Sequence, residues 1–302
     1  MENNASHYQP EHWELWYRAS YPYLKNVPDS ALFERHEAIA TNLKVFWSEE
    51  RQKISIWNVF SAWYWLRKEH QVRLEMSLRG LSPQLSIVLP VGEVTAPARP
   101  SSPNIGDVLF RFSKTEWLVR TLREGHLWIN EGTTFLNPAL GSSRADDELK
   151  KTRNFLAERT RIKLRDRREI PAPSDITWHV EGPPYFLFST SSDFHPHLFD
   201  AFTESDACLV IHDAVAFVDR LHSTLAVAYP GWDFGEYPVH YFDPCEPTSA
   251  NEELHPFTSK DFSYAFQMEW RFVCVPPTAV SDKYIELFLG PCHDLASLHP
   301  RT

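Results

Sequence analysis

The chain has 302 residues, 43% of them hydrophobic, including 20 Phe, 11 Tyr and 11 Trp, which argues for one large domain, or one domain with an appendage, and against extensive disorder. Its formal net charge of −10 argues against a protein that coats nucleic acid nonspecifically, and is compatible with a local basic groove. No apolar run reaches the roughly 18 to 20 residues that span a bilayer, and the polar start Met1-Glu-Asn-Asn-Ala-Ser has no secretory pattern.

Cys208, Cys245, Cys274 and Cys292 are widely spaced and form no Cys-x-x-Cys pair, as expected of reduced, mostly buried thiols. The expectation is a cytoplasmic protein, or one exported without a cleavable signal, that has no membrane partner.

Residues 1–90 read as a helical, aromatic-rich region. Pro28-Asp29-Ser30 offers a start for a helix over Ala31–Trp47, with Leu32, Ile39, Leu43 and Phe46 near helical spacing. A second helix is expected from Ile56 to about Leu78, with Trp57, Phe60, Trp63, Leu66 and Val72 on one side. Such a strip reads as core or inter-domain face before it reads as a platform for stacking bases. The four prolines of Pro90–Asp107 forbid a helix and mark 91–106 as a linker, leaving 107–302 as the second unit.

In that unit Val108–Phe112 reads as a strand, Lys114–Glu124 as a helix stopped by Gly125, and His126–Asn130 as a strand entering a Thr/Asn/Pro turn. Arg144–Glu169 interleaves ten Lys/Arg with six Asp/Glu and is expected to be a charged helix, either a solvated face or a surface for a polyanion. Strands are then expected at Tyr185–Ser189, Cys208–His212, Val239–Phe242, Phe266–Val275 and Tyr284–Leu289, with a crossover helix at Ala214–Leu225. An α+β domain with a split, mostly antiparallel β-sheet fits this succession.

Three short segments could carry chemistry. They are Leu109-Phe110-Arg111-Phe112, Phe186-Leu-Phe-Ser189-Thr190-Ser191, and the alternating run Tyr264-Ala-Phe-Gln267-Met-Glu269-Trp270-Arg271-Phe272-Val273. Period-2 alternation puts Gln267 and Glu269 on one face of a strand. Each segment also has an ordinary reading: a strand-end arginine, a turn, a wet sheet face. No Gly-x-Ser-x-Gly, Gly-Lys-Ser/Thr or Gly-x-Gly-x-x-Gly is present, so a hydrolase elbow, a P-loop and a Rossmann fingerprint find no support. His195-Pro-His197, flanked by Asp193 and Asp200, is the best metal candidate but lacks an assignable third ligand, so no metal is expected.

Arginine, then Ser-Thr-Ser, then Gln-x-Glu, in that order, resembles the ADP-ribosyltransferase superfamily in its Arg/Ser/Glu branch. The pieces Leu122-Arg-Glu-Gly125-His-Leu127, Phe135-Leu-Asn137-Pro138 and Gln267-Met-Glu269-Trp270-Arg271 are also similar to a widespread, poorly characterised bacterial family. The resemblance covers roughly residues 107 to 275.

It implies an NAD-dependent ADP-ribosyltransferase, a glycosyltransferase by class, with NAD as co-substrate. The acceptor would be a protein or a nucleic acid, in the setting of a toxin, an effector or anti-phage defence. Glu269 would then stabilise the charged ribose, Gln267 would hold the acceptor and Arg111 would meet the phosphates. Ser189 would orient Glu269, with Thr190 and Ser191 shaping the nicotinamide pocket. Phe194, Phe199, Phe202 and Tyr264 are candidates for an aromatic that stacks on nicotinamide, while Arg271 has no assigned role beyond pairing with a neighbouring carboxylate. An NAD glycohydrolase, or a non-catalytic module binding a nucleotide or a protein, stands as the alternative.

Overall fold

The computed structural model describes residues 10–46, 62–83, 108–137, 139, 146–246 and 254–301. The Pro-rich linker and the expected helical turns around Trp57 and Phe60 lie outside the described residues. The first described elements are α1 (Pro10–Ser20), α2 (Asp29–Phe46) and α3 (Ala62–Leu78). As the spacing predicts, α2 starts directly after Pro28 and buries Leu32, Ile39 and Leu43, while α3 buries Leu66 and Val72. No helix among the described residues is long and apolar enough to cross a membrane.

The elements that follow are β1 (Leu109–Ser113), α4 (Thr115–Glu124), β2 (His126–Glu131), β3 (Lys150–Phe155), β4 (Arg161–Lys163), β5 (Glu169–Pro171), β6 (Ile176–Glu181) and β7 (Phe186–Ser191). Then come α5 (His197–Ala201), β8 (Ala207–Ile211), α6 (Ala214–Ala228), β9 (Asp233–Pro238), β10 (His240–Phe242), β11 (Ser259–Asp261), β12 (Glu269–Val275), β13 (Tyr284–Phe288) and β14 (Ala296–Pro300). Gly125 ends α4 in the left-handed conformation, φ 66°, which a glycine adopts without steric cost.

The protein is thus α+β, and eight of the described strands form one antiparallel sheet that forks at β7. Along one edge β12 pairs with the whole of β7, from Glu269 opposite Ser191 to Cys274 opposite Phe186, and β9 lies beyond β12. The other edge of β7 is shared. There β2 takes Phe186 and Leu187, whereas β1 meets only Ser191, through Phe110. The β2 arm continues to β13, and the β1 arm to β8 and β14. Between the arms, at Phe188–Thr190, a cleft opens.

Alternation assigns the faces. Phe186 and Phe188 enter a core with Leu109, Leu209, Phe272 and the α6 residues Phe217 and Leu221. Leu187 and Val273 point the other way and pack with Tyr185. Ser189, Ser191, Glu269 and Arg271 prolong that second face toward the cleft.

Three expectations are corrected. Arg144–Glu169 is not a helix; its described part forms β3, a 3-10 turn at Ala157–Arg159, β4 and the start of β5. The buried positions of β3 are charged, Lys151 at 3% and Arg153 at 1% exposure, so a period of 2 hides inside what reads as a solvated face. Arg153 lies over the ring of Phe242 and Lys151 meets Asp146 and Glu148, so tertiary partners override helical propensity. Secondly, the strand expected at Phe266–Val275 begins only at Glu269. Phe262–Gln267 is a 3-10 turn, capped by Asp261 Oδ1 accepting the Ser263 N–H at 2.8 Å and ended by Met268 in the left-handed region. Thirdly, β10 lies outside the forked sheet and pairs in parallel with β11.

The helical region and the sheet share one core, in which Tyr17, Leu32, Trp65 and Met76 join Phe112, Tyr241, Phe262 and Phe266. Buried charges pin the junction. Arg35 donates to both oxygens of Asp243, at 3.0 and 2.6 Å, and Lys68 donates to Asp243 and Glu246. Trp65 stacks on Phe262, 5.6 Å between centroids, and Asn42 Nδ2 donates to the Ser263 carbonyl at 2.9 Å. Asp243 follows β10 and Phe262 follows β11, so α2 and α3 grip both strands of that parallel pair at its C-terminal end.

Removing the Asp243 carboxylate would strand Arg35 and half of Lys68 as uncompensated buried cations. Asp243→Ala is expected to lower the unfolding free energy by about 3–5 kcal/mol, measured by urea unfolding; a change below about 1 kcal/mol would mean the junction does not depend on this pair.

Candidate active site

The fork encloses a cleft of about 170 Å³ bordered by Arg111, Ser189, Thr190, Ser191, Gln267 and Glu269. All six residues expected from the sequence therefore meet at one place, although they come from three segments spread over the chain. Phe110, Phe112, Phe135 and Phe202 supply apolar walls.

Strand register explains the meeting. In the β7–β12 pair Ser191 faces Glu269 and Ser189 faces Arg271, which leaves Ser189 diagonal to Glu269 on the same side of the sheet. Its Oγ donates to Glu269 Oε1 at 2.6 Å, a short bond to a charged acceptor. Arg111 reaches across the fork and donates from Nη1 to the Ser189 carbonyl, while its guanidinium lies 4.5 Å over the Phe188 ring. The Thr190 hydroxyl donates to the Trp270 carbonyl at 3.3 Å, so it serves the strand pair.

Gln267 and Glu269 do sit together, but not as alternate residues of one strand. Gln267 ends the 3-10 turn, Met268 takes φ 46° and ψ 48°, and Glu269 is the first residue of β12. What joins the two side chains is Lys260 of β11, whose Nζ donates to Gln267 Oε1 at 3.0 Å and to Glu269 Oε2 at 2.9 Å.

Lys260 and Glu148 carry none of the sequence signals yet belong to the site. Arg271, 0% exposed, donates from Nε to Glu269 Oε1 at 2.8 Å and from Nη2 to Glu148 Oε1 at 2.9 Å. Its expected carboxylate partner is thus a pair of carboxylates. Lys260 Nζ also lies 3.6 Å from Glu148, and Lys151 lies 3.4 Å from Glu148 and from Asp146. The charges of this network balance, Lys151, Lys260 and Arg271 against Asp146, Glu148 and Glu269. Both Glu269 oxygens are occupied: Oε1 by Ser189 and Arg271, Oε2 by Lys260 and, at 3.5 Å, by Arg271 again.

Burial alone would raise the Glu148 and Glu269 carboxyls, but the Arg271 guanidinium and the Lys260 ammonium outweigh it and hold both below the ordinary range. Burial would lower the Lys260 ammonium, and Glu269 and Glu148 reverse that too. Glu269 is therefore an anion, and a weak base, throughout the neutral range.

The aromatic candidates divide. Phe194, Phe199 and Phe202 cluster on Phe112 at 4.9 to 6.0 Å, and of these Phe202 borders the cleft, while the Tyr264 ring lies 4.6 Å from Lys260 Nζ. His195 and His197 stack on each other, and His197 Nδ1 lies 3.2 Å from Asp200. No group of three or more metal-type ligands occurs among the described residues. The four cysteines are free, and three of them are buried.

Folded-state depression of Glu148, Glu269 and Asp243 fixes a sign for acid sensitivity. In the unfolded chain these groups take up protons near pH 4. Their stabilisation is present above that value and is lost as pH falls toward their folded values. Asp261 runs the opposite way, because burial pushes it up to about 6, so it costs stability as pH rises from about 4 to 6. Three depressed carboxylates outweigh one raised. The urea midpoint should stay level from about pH 8 to 6 and fall steeply below about pH 5, with a shallower fall in Glu269→Gln; equal slopes in the two proteins would place the acid sensitivity elsewhere.

Comparison of the chain with protein-family models, with curated proteins and with solved structures returned no match, so the geometry of the forked cleft is what a functional reading rests on.

Proposed function

We propose that the forked cleft binds NAD+ and transfers its ADP-ribose to a protein or nucleic-acid acceptor. The observation that carries this reading is the 2.6 Å bond from Ser189 to Glu269 at the edge of a cleft that Arg111 also borders. Three elements distant in sequence thereby supply a permanently charged fork for phosphate, an orienting hydroxyl and an anion.

In the reaction the bond between ribose C1′ and the nicotinamide nitrogen breaks and its electron pair leaves with nicotinamide, which departs neutral. Positive charge develops over the ribose, the acceptor's nucleophile bonds to C1′, and its proton passes to solvent. A fixed anion beside that charge lowers the barrier. Glu269 suits charge stabilisation better than proton abstraction, since two cations keep it ionised and make it a poor base. The Gln267 carboxamide can orient an acceptor but neither gives nor takes a proton in this range.

Pockets that enclose a whole small ligand span roughly 300–1,000 Å³. At about 170 Å³ the cleft suits the nicotinamide riboside end of a dinucleotide. Among the described bordering side chains Arg111 and Lys260 are cations; Lys260 is engaged with Gln267 and Glu269, and Arg111, seated on the Ser189 carbonyl and the Phe188 ring, is the one whose planar guanidinium suits phosphate oxygens.

One observation favours a second reading, a non-catalytic nucleotide-binding module. Glu269 already accepts four hydrogen-bond contacts, the usual capacity of a carboxylate, so a ribose hydroxyl must displace one of them.

The two readings separate in one experiment, in which purified protein is incubated with NAD+, with and without cell lysate, and the products are read by mass spectrometry. Transfer predicts nicotinamide release and an ADP-ribosylated lysate component, with release falling about 10²- to 10³-fold in Glu269→Gln and about tenfold in Ser189→Ala. Release without a labelled acceptor would indicate a glycohydrolase. NAD+ binding with no release, or release that survives Glu269→Gln, would sink the transferase reading.

A further inference from the structure

Lys260 lies in the polar run Thr258-Ser-Lys-Asp261. In the fold it is only 4% exposed, because β11 runs parallel to β10 with Lys260 opposite Tyr241, at the end of the segment that α2 and α3 clamp. Its ammonium donates to Gln267 Oε1 and Glu269 Oε2, faces Glu148 at 3.6 Å and lies over the Tyr264 ring. An ammonium can only donate, so its partner on Gln267 must be the oxygen, and that fixes which way the carboxamide faces.

Strand pairing cannot do this work. Gln267 lies outside β12, Met268 is left-handed, and Glu269 is the terminal residue of the strand. The backbone there is held by the Tyr241 hydroxyl, which accepts the Glu269 N–H at 3.0 Å, and by Met268 donating to Ala265. The two functional side chains are held together by Lys260.

We propose that Lys260 is the positioning residue of the cleft, fixing the Gln267 carboxamide and the Glu269 carboxylate as one rigid pair. Its catalytic consequence rests on the transfer reading above. Its structural statement concerns Gln267 and Glu269 alone, so the two can fail separately. The groups that face Glu269 are Ser189 of β7, Arg271 of β12, Lys260 of β11, Tyr241 of β10, Tyr185 and Glu148. Of these, Lys260 and Arg271 carry positive charge.

The test compares wild type with Lys260→Met and Lys260→Arg, and with Lys260→Met/Glu148→Gln, which preserves the charge balance should the single variant fail to fold. Two readouts are taken: NAD+ cleavage kinetics, and carbon-13 titration of the Glu269 carboxyl, assigned by its loss in Glu269→Gln. A positioning role predicts that kcat falls about 10- to 100-fold in the Met variants while KM for NAD+ changes little. Lys260→Arg should recover part of kcat, and the Glu269 titration midpoint should move to higher pH in Lys260→Met than in the wild type, and in Lys260→Met/Glu148→Gln than in Glu148→Gln alone.

If wild type cleaves no NAD+ but the midpoint still rises, the transfer reading fails and the assignment of Lys260 stands. An unchanged midpoint would overturn that assignment. So would higher activity in the Met variants, which would make Lys260 a plug occupying the place of the ribose.

Discussion

Arg271 is the interaction around which the site is built. Its guanidinium, with no exposed surface, lies between two buried carboxylates and also donates to the Phe257 carbonyl. Glu148 and Glu269 could not both stay ionised so close together without it, since like charges sharing a buried site drive one pKa sharply upward. Arg271 thereby lets β12 begin with an anion at the mouth of the fork. It also fastens the turn before β3 and the segment around Phe257 to that strand. Ser189 and Lys260 then refine the position of a charge that Arg271 makes tolerable.

The helical region contributes to the site through the same chain of contacts. Arg35 and Lys68 hold Asp243 at the end of β10, Asn42 and Trp65 hold the turn after β11, and β11 carries Lys260. Movement of α2 or α3 would thus be felt at Glu269 through two layers of buried polar contacts. The Trp-bearing helices, read from the sequence as core or an inter-domain face, are in their described part continuous with the core behind the cleft.

Arg111, Ser189, Thr190 and Ser191 were legible because each sits in a short local pattern, an aromatic strand or a run of small hydroxyls, whereas Gln267 and Glu269 meet in the cleft although the alternation expected to join them does not reach Gln267. Lys260 and Glu148 were not legible. Glu148 meets Arg271 across 123 positions, and no local spacing announces such a contact. The helix expected over Arg144–Glu169 failed for a related reason, since the buried face of β3 is made of Lys151 and Arg153 and hydrophobic periodicity cannot see it. Alternation likewise ran too far upstream in Tyr264–Val273. The Asp261 cap and the left-handed Met268 turn that stretch into a 3-10 turn before the strand begins. The α+β class, the antiparallel strands around the fork and helix α6 followed from the sequence, because there the apolar period and the buried positions coincide.

The most direct test of this account is a crystal structure of the Glu269→Gln variant grown with NAD+. The account places the nicotinamide riboside end in the fork, with the ribose against residue 269 and the phosphates at Arg111. Dinucleotide density elsewhere on the molecule, or an empty fork at saturating NAD+ in a correctly folded variant, would contradict it.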